Sequence, residues 1–210
     1  DCARCASSSS SSSWRVSDRV SASVAAVRFN WVTSFDKYGP DVMRRYGFGL
    51  SPAEFEQKTE SGAIGLFERL WQSAHLIAHE LDWPIVQTEE VKTGWPSDRQ
   101  RRTAHMLVQP GEIGGFTHRI AIRSNEGRSI ELGVTAYLEP EGDGEALSMS
   151  VEVNGDPGIR VDLSGDMLSS AGGLISTSAR MVNSIARLEA VEPGLRSVND
   201  LPLVTCRDKH

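Results

Sequence analysis

Two histidines on one predicted helix have a spacing that could serve metal chemistry. His75 and His79 lie four residues apart, so their imidazoles would be neighbours on the helix surface and could share a zinc ion. The residues between them, Leu76-Ile77-Ala78, lack the glutamate of an HExxH zinc enzyme. We therefore favour a solvated polar face and predict no metal site, with metal-assisted catalysis as the weaker alternative. Three other polar residues share that face: Glu68, Gln72 and Asp82.

Cysteine usage and net charge restrict the setting and the partners. Cys2, Cys5 and Cys206 lie near the termini and form no disulfide framework, which favours a reducing, cytoplasmic location. The net charge is −6 with a pI near 5.4, so the chain lacks the positive field that phosphate groups require. No apolar run reaches membrane-spanning length. We expect neither a nucleic-acid nor a membrane partner.

Two short motifs partly match ligand-binding patterns. Arg99-Gln-Arg-Arg102 could contact a phosphate, although an exposed loop of charges is the favoured interpretation. Gly47-Phe-Gly49 follows a short helix rather than a strand, so it cannot direct amide groups at a pyrophosphate in the usual way. No strand–GxGxxG–helix unit occurs, and we predict no cofactor-binding residues in this chain.

Local signals predict the helices that would position these residues. Pro40–Tyr46 is predicted as a short helix ended by Gly47, and Ser51-Pro-Ala-Glu54 begins a second helix that ends near Lys58. A long helix is predicted over 62–81 and a closing helix over 166–189, which Pro193-Gly194 follows. The long helix has an apolar stripe of Ile64, Phe67, Trp71, Ala74, Ile77, Ala78 and Leu81. The closing helix has one of Ile175, Met181, Val182, Ile185 and Leu188.

Extended segments separated by turn residues predict the sheet. The strands are expected near 20–35, 85–92, 105–109, 115–124, 129–139, 146–154 and 159–163. The predicted fold class is α+β: a mixed, mostly antiparallel sheet covered on one side by the long helix and the C-terminal helix. Residues 1–19 include seven consecutive serines and are expected to form a disordered tail, with a second tail at 204–210.

Four segments of residues 20–203 resemble a known enzyme family. They are Tyr38–Gly49, Pro52-Ala-Glu-Phe followed by Gly62-Ala-Ile-Gly65 and a helix ending in Asp82-Trp83, Pro110–Phe116, and Thr177–Leu203. In order and spacing these segments are similar to the C-terminal part of dihydrodipicolinate reductase-like oxidoreductases, in particular the 2,4-diaminopentanoate dehydrogenase type. The resemblance implies a substrate-binding and oligomerisation domain that works with an N-terminal NAD(P)-binding Rossmann domain.

The resemblance implies an NAD(P)-dependent dehydrogenase acting on a small amino acid or diamino acid. The nucleotide-binding domain has no counterpart in this sequence, so NAD(P) is expected by family only and redox chemistry by this chain alone is not expected. The implied partners are a small amino-acid-like substrate and either a second subunit or a nucleotide domain. The alternative is a non-redox small-ligand-binding or dimerisation module derived from such an enzyme.

The family's substrate class suggests four residues for recognition. Arg119 could bind a carboxylate with its forked guanidinium, beside His118 on the strand after Gly114-Gly115. Glu112 in the turn could pair an ammonium group, and Asn183 on the closing helix could offer an amide. Each residue also has a simpler interpretation. Arg119 and His118 could simply be solvent-facing residues of a strand, and Glu112 an ordinary turn residue. Asn183 could make a hydrogen bond that only stabilises the fold. The sequence identifies no catalytic residue.

The tail after the closing helix contains four more aliphatic residues. They suggest a surface made to cover another domain or subunit, and we expect the tail to be loosely held or to expose an apolar patch when that partner is missing. These residues are Leu195, Val198, Leu201 and Leu203.

Overall fold

The computed structural model describes residues 23–138, 147–189 and 191–202. Its strands are β1 Ser23–Ser34, β2 Ile85–Pro96, β3 Arg101–Arg102, β4 Leu107–Val108, β5 Ile113–Ser124, β6 Ser129–Tyr137, β7 Ser148–Asp156 and β8 Ile159–Leu163. Its helices are α1 Pro40–Arg45, α2 Pro52–Glu60, α3 Arg69–Glu80 and α4 Ser170–Leu188. Cys2, Cys5, Cys206, Leu203 and the two predicted tails lie outside the described residues.

Most of the strands form one mixed sheet. Within the described residues, six strands are arranged in the order β2-β5-β6-β1-β7-β8. β1 pairs in parallel with β6, and the other neighbours in this sheet are antiparallel. β3 and β4 form a separate two-stranded ribbon. The predicted α+β class with a mixed, mostly antiparallel sheet is confirmed.

Helices cover one face of this sheet near β5 and β6. α3 lies against these two strands and α2 lies against β2. Along β5 the buried side chains alternate, as a strand with one covered face requires. An aromatic cluster fills one end of the core and an aliphatic cluster fills the other. The first contains Phe35, Phe48, Phe55 and Phe116, and the second contains Ala74, Ala78, Ile120, Ile122, Ile130 and Val134.

Some of the predicted helix boundaries are confirmed by the structure and others are not. The capping box at Ser51 is confirmed, because its side chain accepts the N–H of Glu54 and the Glu54 carboxylate accepts the N–H of Ser51. The start of the long helix was predicted wrongly, since α3 begins at Arg69 and not at residue 62. The backbone of Gly62 and Leu66 has positive φ, 74° and 48°, which interrupts a helix. Trp71, predicted in the apolar stripe, is 47% exposed.

The C-terminal helix α4 is present with an open apolar side. Its Ser169 N-cap accepts the N–H of Gly172, and the helix lies beside the short 3-10 turn Asp166–Leu168. Its large apolar side chains are each more than half exposed: Leu174, Ile175, Met181, Val182, Ile185 and Leu188. Leu195 and Val198 in the tail are also exposed, as the sequence suggested. Exposed apolar side chains therefore occur both on α4 and in the tail.

Membrane-crossing helices are not found in the described part of the chain, where each helix is too short or too polar to span a bilayer.

Candidate substrate cavity

A cavity of about 530 Å³ lies between the end of α1 and the loop that leads into α3. Its charged and aromatic lining consists of Arg45, Tyr46, Phe67, Glu68 and Arg69. The two arginines and the glutamate are exposed at its mouth, whereas the aromatic residues are partly buried. Such a space combines a cationic and an anionic group with an apolar wall, an arrangement suited to a small zwitterion.

Glycines shape the loop side of this cavity. Gly62 and Gly65 both line it, and Gly62 adopts the positive φ that glycine tolerates best. Glu68 folds back over Gly65, and a Cβ at that position would overlap its carboxylate. The loop therefore needs a residue without a side chain at Gly65 to keep the Glu68 carboxylate in this position.

Tyr46 supplies a phenol on the aromatic wall. Its ring stacks on Phe116 with centroids 5.8 Å apart and 9° between the planes, and it lies 5.5 Å from the ring of Phe67. Burial raises the pKa of Tyr46 above its usual value near 10, with Tyr38 and Glu68 adding to the rise and Arg45 opposing it. The Tyr46 hydroxyl therefore stays protonated at neutral pH and can donate a hydrogen bond.

His118 supports the cavity from the sheet. Its side chain is fully buried, with Nδ1 accepting the N–H of Phe67 at 3.2 Å and Nε2 lying 2.8 Å from Oε1 of Glu90. A backbone N–H can only donate, so Nδ1 carries no proton and Nε2–H donates to Glu90. Burial lowers the pKa of His118, although the hydrogen bond and charge of Glu90 oppose this. The imidazole is thus neutral with a defined tautomer.

Glu90 joins His118 to a lysine on the edge strand. Nζ of Lys92 lies 2.9 Å from the same Oε1 of Glu90 that His118 contacts. Burial alone would raise the pKa of Glu90, but the hydrogen bonds from Lys92 and His118 outweigh it and the pKa is lowered. A hydrogen-bonded series therefore runs from Lys92 through Glu90 and His118 to the backbone of Phe67.

Arg119 points away from this series. Adjacent residues of a strand face opposite sides, so Arg119 lies on the face of the sheet that α2 and α3 leave open. There it lines a separate cavity of about 320 Å³ with Arg28 and Asn30. Arg28 itself lies 3.5 Å from the carboxylates of Glu131 and Glu152. His118 and Arg119 thus cannot act on one ligand.

The other two predicted substrate contacts lie elsewhere. The carboxylate of Glu112 accepts the N–H of Gln109 at 2.7 Å, which closes the turn before β5. Asn183 is partly buried on α4. The structure therefore does not bring Arg119, His118, Glu112 and Asn183 together, and a substrate role for each of them stays a prediction.

The three arginines of the basic run differ in burial. Arg101 is 6% exposed, and its Nε donates to Oγ of Ser97 at 2.6 Å while Nη1 donates to the carbonyl of Leu138 at 2.9 Å. Arg102 is exposed. The favoured interpretation of the run as a solvated loop is therefore wrong for Arg101, which connects β3 to Leu138, the residue after β6.

Comparison with known proteins agrees with this architecture. The chain matches the family model described as 2,4-diaminopentanoate dehydrogenase C-terminal domain over residues 16–209. The chain belongs to this family. It is 29% identical over 176 residues to the 2,4-diaminopentanoate dehydrogenase of Acetoanaerobium sticklandii, covering 82% of this chain and 48% of that protein.

The solved structure of the amine dehydrogenase from Mycobacterium smegmatis has a similar fold. The two superpose with a TM-score of 0.74 at 20% identity, covering 88% of this chain and 53% of the other. The chain thus spans about half the length of both relatives.

The described residues of this C-terminal domain do not fit a nicotinamide dinucleotide. Pyrophosphate binding uses a Gly-rich turn between a strand and the N-terminus of a helix. Among the described residues, a strand leads to an α-helix at two places, β1 to the six-residue α1 and β8 to α4, and each connection contains a single glycine, Gly39 and Gly165. Membership of a dehydrogenase family suggests NAD(P) as the cofactor.

The two histidines considered as zinc ligands, His75 and His79, contact neighbouring residues of their own helix. Nδ1 of His75 lies 2.9 Å from the carbonyl of Trp71, on whose ring it also stacks, and Nδ1 of His79 lies 3.5 Å from Glu80. Across the described ranges, no three His, Cys, Asp or Glu side chains gather as a metal site.

The cavity residues Arg45, Tyr46, Glu68 and Arg69 were missed as a group from the sequence. They come from two segments some twenty residues apart, and the predicted helix over 62–81 concealed the loop that joins them. The signal that could have revealed it is the pair Gly62 and Gly65, since two glycines in one turn disfavour a helix.

Proposed function

We propose that this chain is the substrate-binding and oligomerisation part of an NAD(P)-dependent dehydrogenase acting on a small amino acid or diamino acid. The observation that supports it best is the 530 Å³ cavity, where Arg45 and Arg69 stand with Glu68 and the neutral phenol of Tyr46. The family match and the name of the Acetoanaerobium sticklandii relative support this substrate class.

In this proposal the cavity recognises both charged ends of an amino acid. The guanidinium of Arg45 binds the carboxylate, because forked N–H donors match its two oxygens, and Arg69 adds positive charge to the same cavity. The Glu68 carboxylate pairs with an ammonium group, and the Tyr46 hydroxyl donates to a remaining acceptor. Phe67 and Leu66 line the space near the carbon chain. These residues bind and orient the substrate, while nucleotide binding belongs to another domain.

Isothermal titration with 2,4-diaminopentanoate tests the cavity. Arg45→Gln is expected to weaken binding by about tenfold, the loss of one charge-assisted hydrogen bond. Arg44→Gln is the matched control, because Arg44 is the neighbouring exposed arginine, pairs with Asp41 at 3.5 Å and does not line the cavity. Glu68→Gln should lower affinity for the diamino acid more than for acetate. Equal effects of the two arginine variants would contradict the proposal.

The open apolar side of α4 favours the oligomerisation half of the proposal, and it also suits the alternative of a non-redox binding or dimerisation module. Sedimentation of the purified chain over a range of concentrations would reveal self-association. Titration with NADPH, followed by nicotinamide fluorescence, tests whether this chain binds the nucleotide by itself. Tight NADPH binding by this chain would overturn the assignment of nucleotide binding to another domain.

A further inference from the structure

Phe67 connects the buried histidine to the cavity. Its side chain lines the cavity, and its backbone N–H donates to Nδ1 of His118 at 3.2 Å. Its ring lies 5.5 Å from Tyr46 and 5.7 Å from Trp31, measured between centroids. The next residue is Glu68, whose carboxylate also lines the cavity. A change at Nδ1 of His118 therefore acts on the peptide group between Leu66 and Phe67, both of which line the cavity.

We propose that His118 is a positioning residue for this cavity: its unprotonated Nδ1 holds loop 62–68 in the ligand-binding shape, and protonation of His118 releases the loop and weakens binding. The inference rests on the function proposed above for the cavity and adds a regulation by protons to it. His118 itself does not contact the ligand in this account.

The physical reason is a conflict between donors. A protonated imidazole carries N–H groups on both nitrogens, so Nδ1–H would face the N–H of Phe67 with no acceptor between them. His118 is fully buried, where an unmade hydrogen bond has a large cost. The neighbouring backbone already has positive φ at Leu66, which marks a segment kept in place by its surroundings. The loop is thus the element expected to move.

Of the described residues, two with charged side chains act on His118, and both belong to β2. Glu90 accepts the Nε2–H, and Lys92 lies beyond it on the same carboxylate. The residue opposite His118 on β6 is Val134, and the loop presents the Phe67 N–H. Burial lowers the pKa of His118, Glu90 raises it and Lys92 lowers it. Binding is therefore strongest above the usual imidazole range near 6.5 and weakens as the pH falls below it.

Substitutions of the two charged neighbours should move the transition in opposite directions. Glu90→Gln keeps an acceptor for Nε2–H but removes the charge that favours the imidazolium, so the transition moves to lower pH. Lys92→Met removes a repulsive charge, so the transition moves to higher pH. A role of these residues in folding alone would not predict opposite shifts.

Amide NMR combined with titration of 2,4-diaminopentanoate between pH 4.5 and 8 tests the inference on the full chain. In the unchanged protein the Phe67 amide and the ligand affinity should change with the same midpoint, and affinity should fall about three- to tenfold. His118→Asn places Oδ1 where Nδ1 stood and cannot be protonated, so it should keep binding and lose this pH dependence. His79→Asn, at an exposed histidine, is the control and should retain the dependence.

The outcomes separate the two proposals. If 2,4-diaminopentanoate does not bind at any pH, the function proposed for the cavity fails, and the Phe67 amide still decides the role of His118. The inference would be overturned if the amide chemical shift of Phe67 did not change over the pH range in which the His118 ring is protonated. An unchanged pH dependence in His118→Asn would also overturn it. Should that variant not fold, shifts of Glu90→Gln and Lys92→Met in the same direction would do so.

Discussion

Replacing Arg101 by alanine should destabilise the chain far more than the same change at its neighbour. The Arg101 guanidinium is buried, donates to Ser97 and to the Leu138 carbonyl, and lies 3.7 Å from the exposed Asp98. Each acceptor that loses a charged donor costs about 1.5–3 kcal/mol, and removal of the buried charge returns part of this. We expect a loss of about 3 kcal/mol in the free energy of unfolding.

Urea unfolding followed by far-ultraviolet circular dichroism measures this loss, and thermal unfolding checks it. In a chain of this length 1 kcal/mol changes Tm by about 2–4 °C, so Arg101→Ala should lower Tm by about 6–12 °C. Arg102→Ala is the matched control and should stay within about 0.5 kcal/mol, since Arg102 is exposed. Arg101→Lys should recover little, because an ammonium group cannot reproduce the forked contacts.

A stabilising role of the buried Arg101 guanidinium would be excluded if Arg101→Ala stayed within 1 kcal/mol of the unchanged chain, or if both alanine variants lost equal stability. The first result would mean that Ser97 and Leu138 find other partners without cost. The second would mean that the loss comes from β3 and not from the buried guanidinium.

Four other substitutions or conditions have expected outcomes by thermal or urea unfolding. Ser51→Ala should cost about 1 kcal/mol, because it removes the side chain of the capping box. Gly47→Ala should cost about 2–3 kcal/mol, since φ is 85° and a Cβ would lie 2.6 Å from the Phe55 ring. Stability should decline as the pH falls below about 6.5, because the pKa of buried His118 is lowered relative to the unfolded chain, and His118→Asn should remove that component. Ile185→Gln should change the stability of the monomer by less than about 0.5 kcal/mol, because this side chain is mostly exposed; a larger loss would place α4 against the sheet.

Sequence patterns were sufficient to predict those elements that are determined by residues close to one another in the sequence. The Ser51 capping box needs only residues 51–54, and the strands β5 and β6 follow from alternation with turn residues at 125–127 between them. The fold class followed from the same signals. These predictions succeeded because each element is stabilised by neighbours in the sequence.

Predictions that depend on distant residues were less complete. The alternation of β5 indicates that His118 and Arg119 face opposite sides, but not which side receives α3. The backbone of Phe67 that contacts His118 lies 51 residues away. Arg101 donates hydrogen bonds to Ser97 and to the carbonyl of Leu138. A run of charged residues in the sequence does not indicate that Leu138 is a partner. The cavity arises where two such separate segments meet.

The two edges of the sheet restrict how copies of this chain can associate. β2 and β8 are the outermost strands. The middle of β2 carries Glu89, Glu90 and Lys92, and β8 has five residues with Arg160 paired to Asp162 at 2.8 Å. A strand from another molecule would have to desolvate these charges to extend the sheet. Association at high concentration is therefore expected to be reversible and mediated by helix surfaces rather than to produce fibrils.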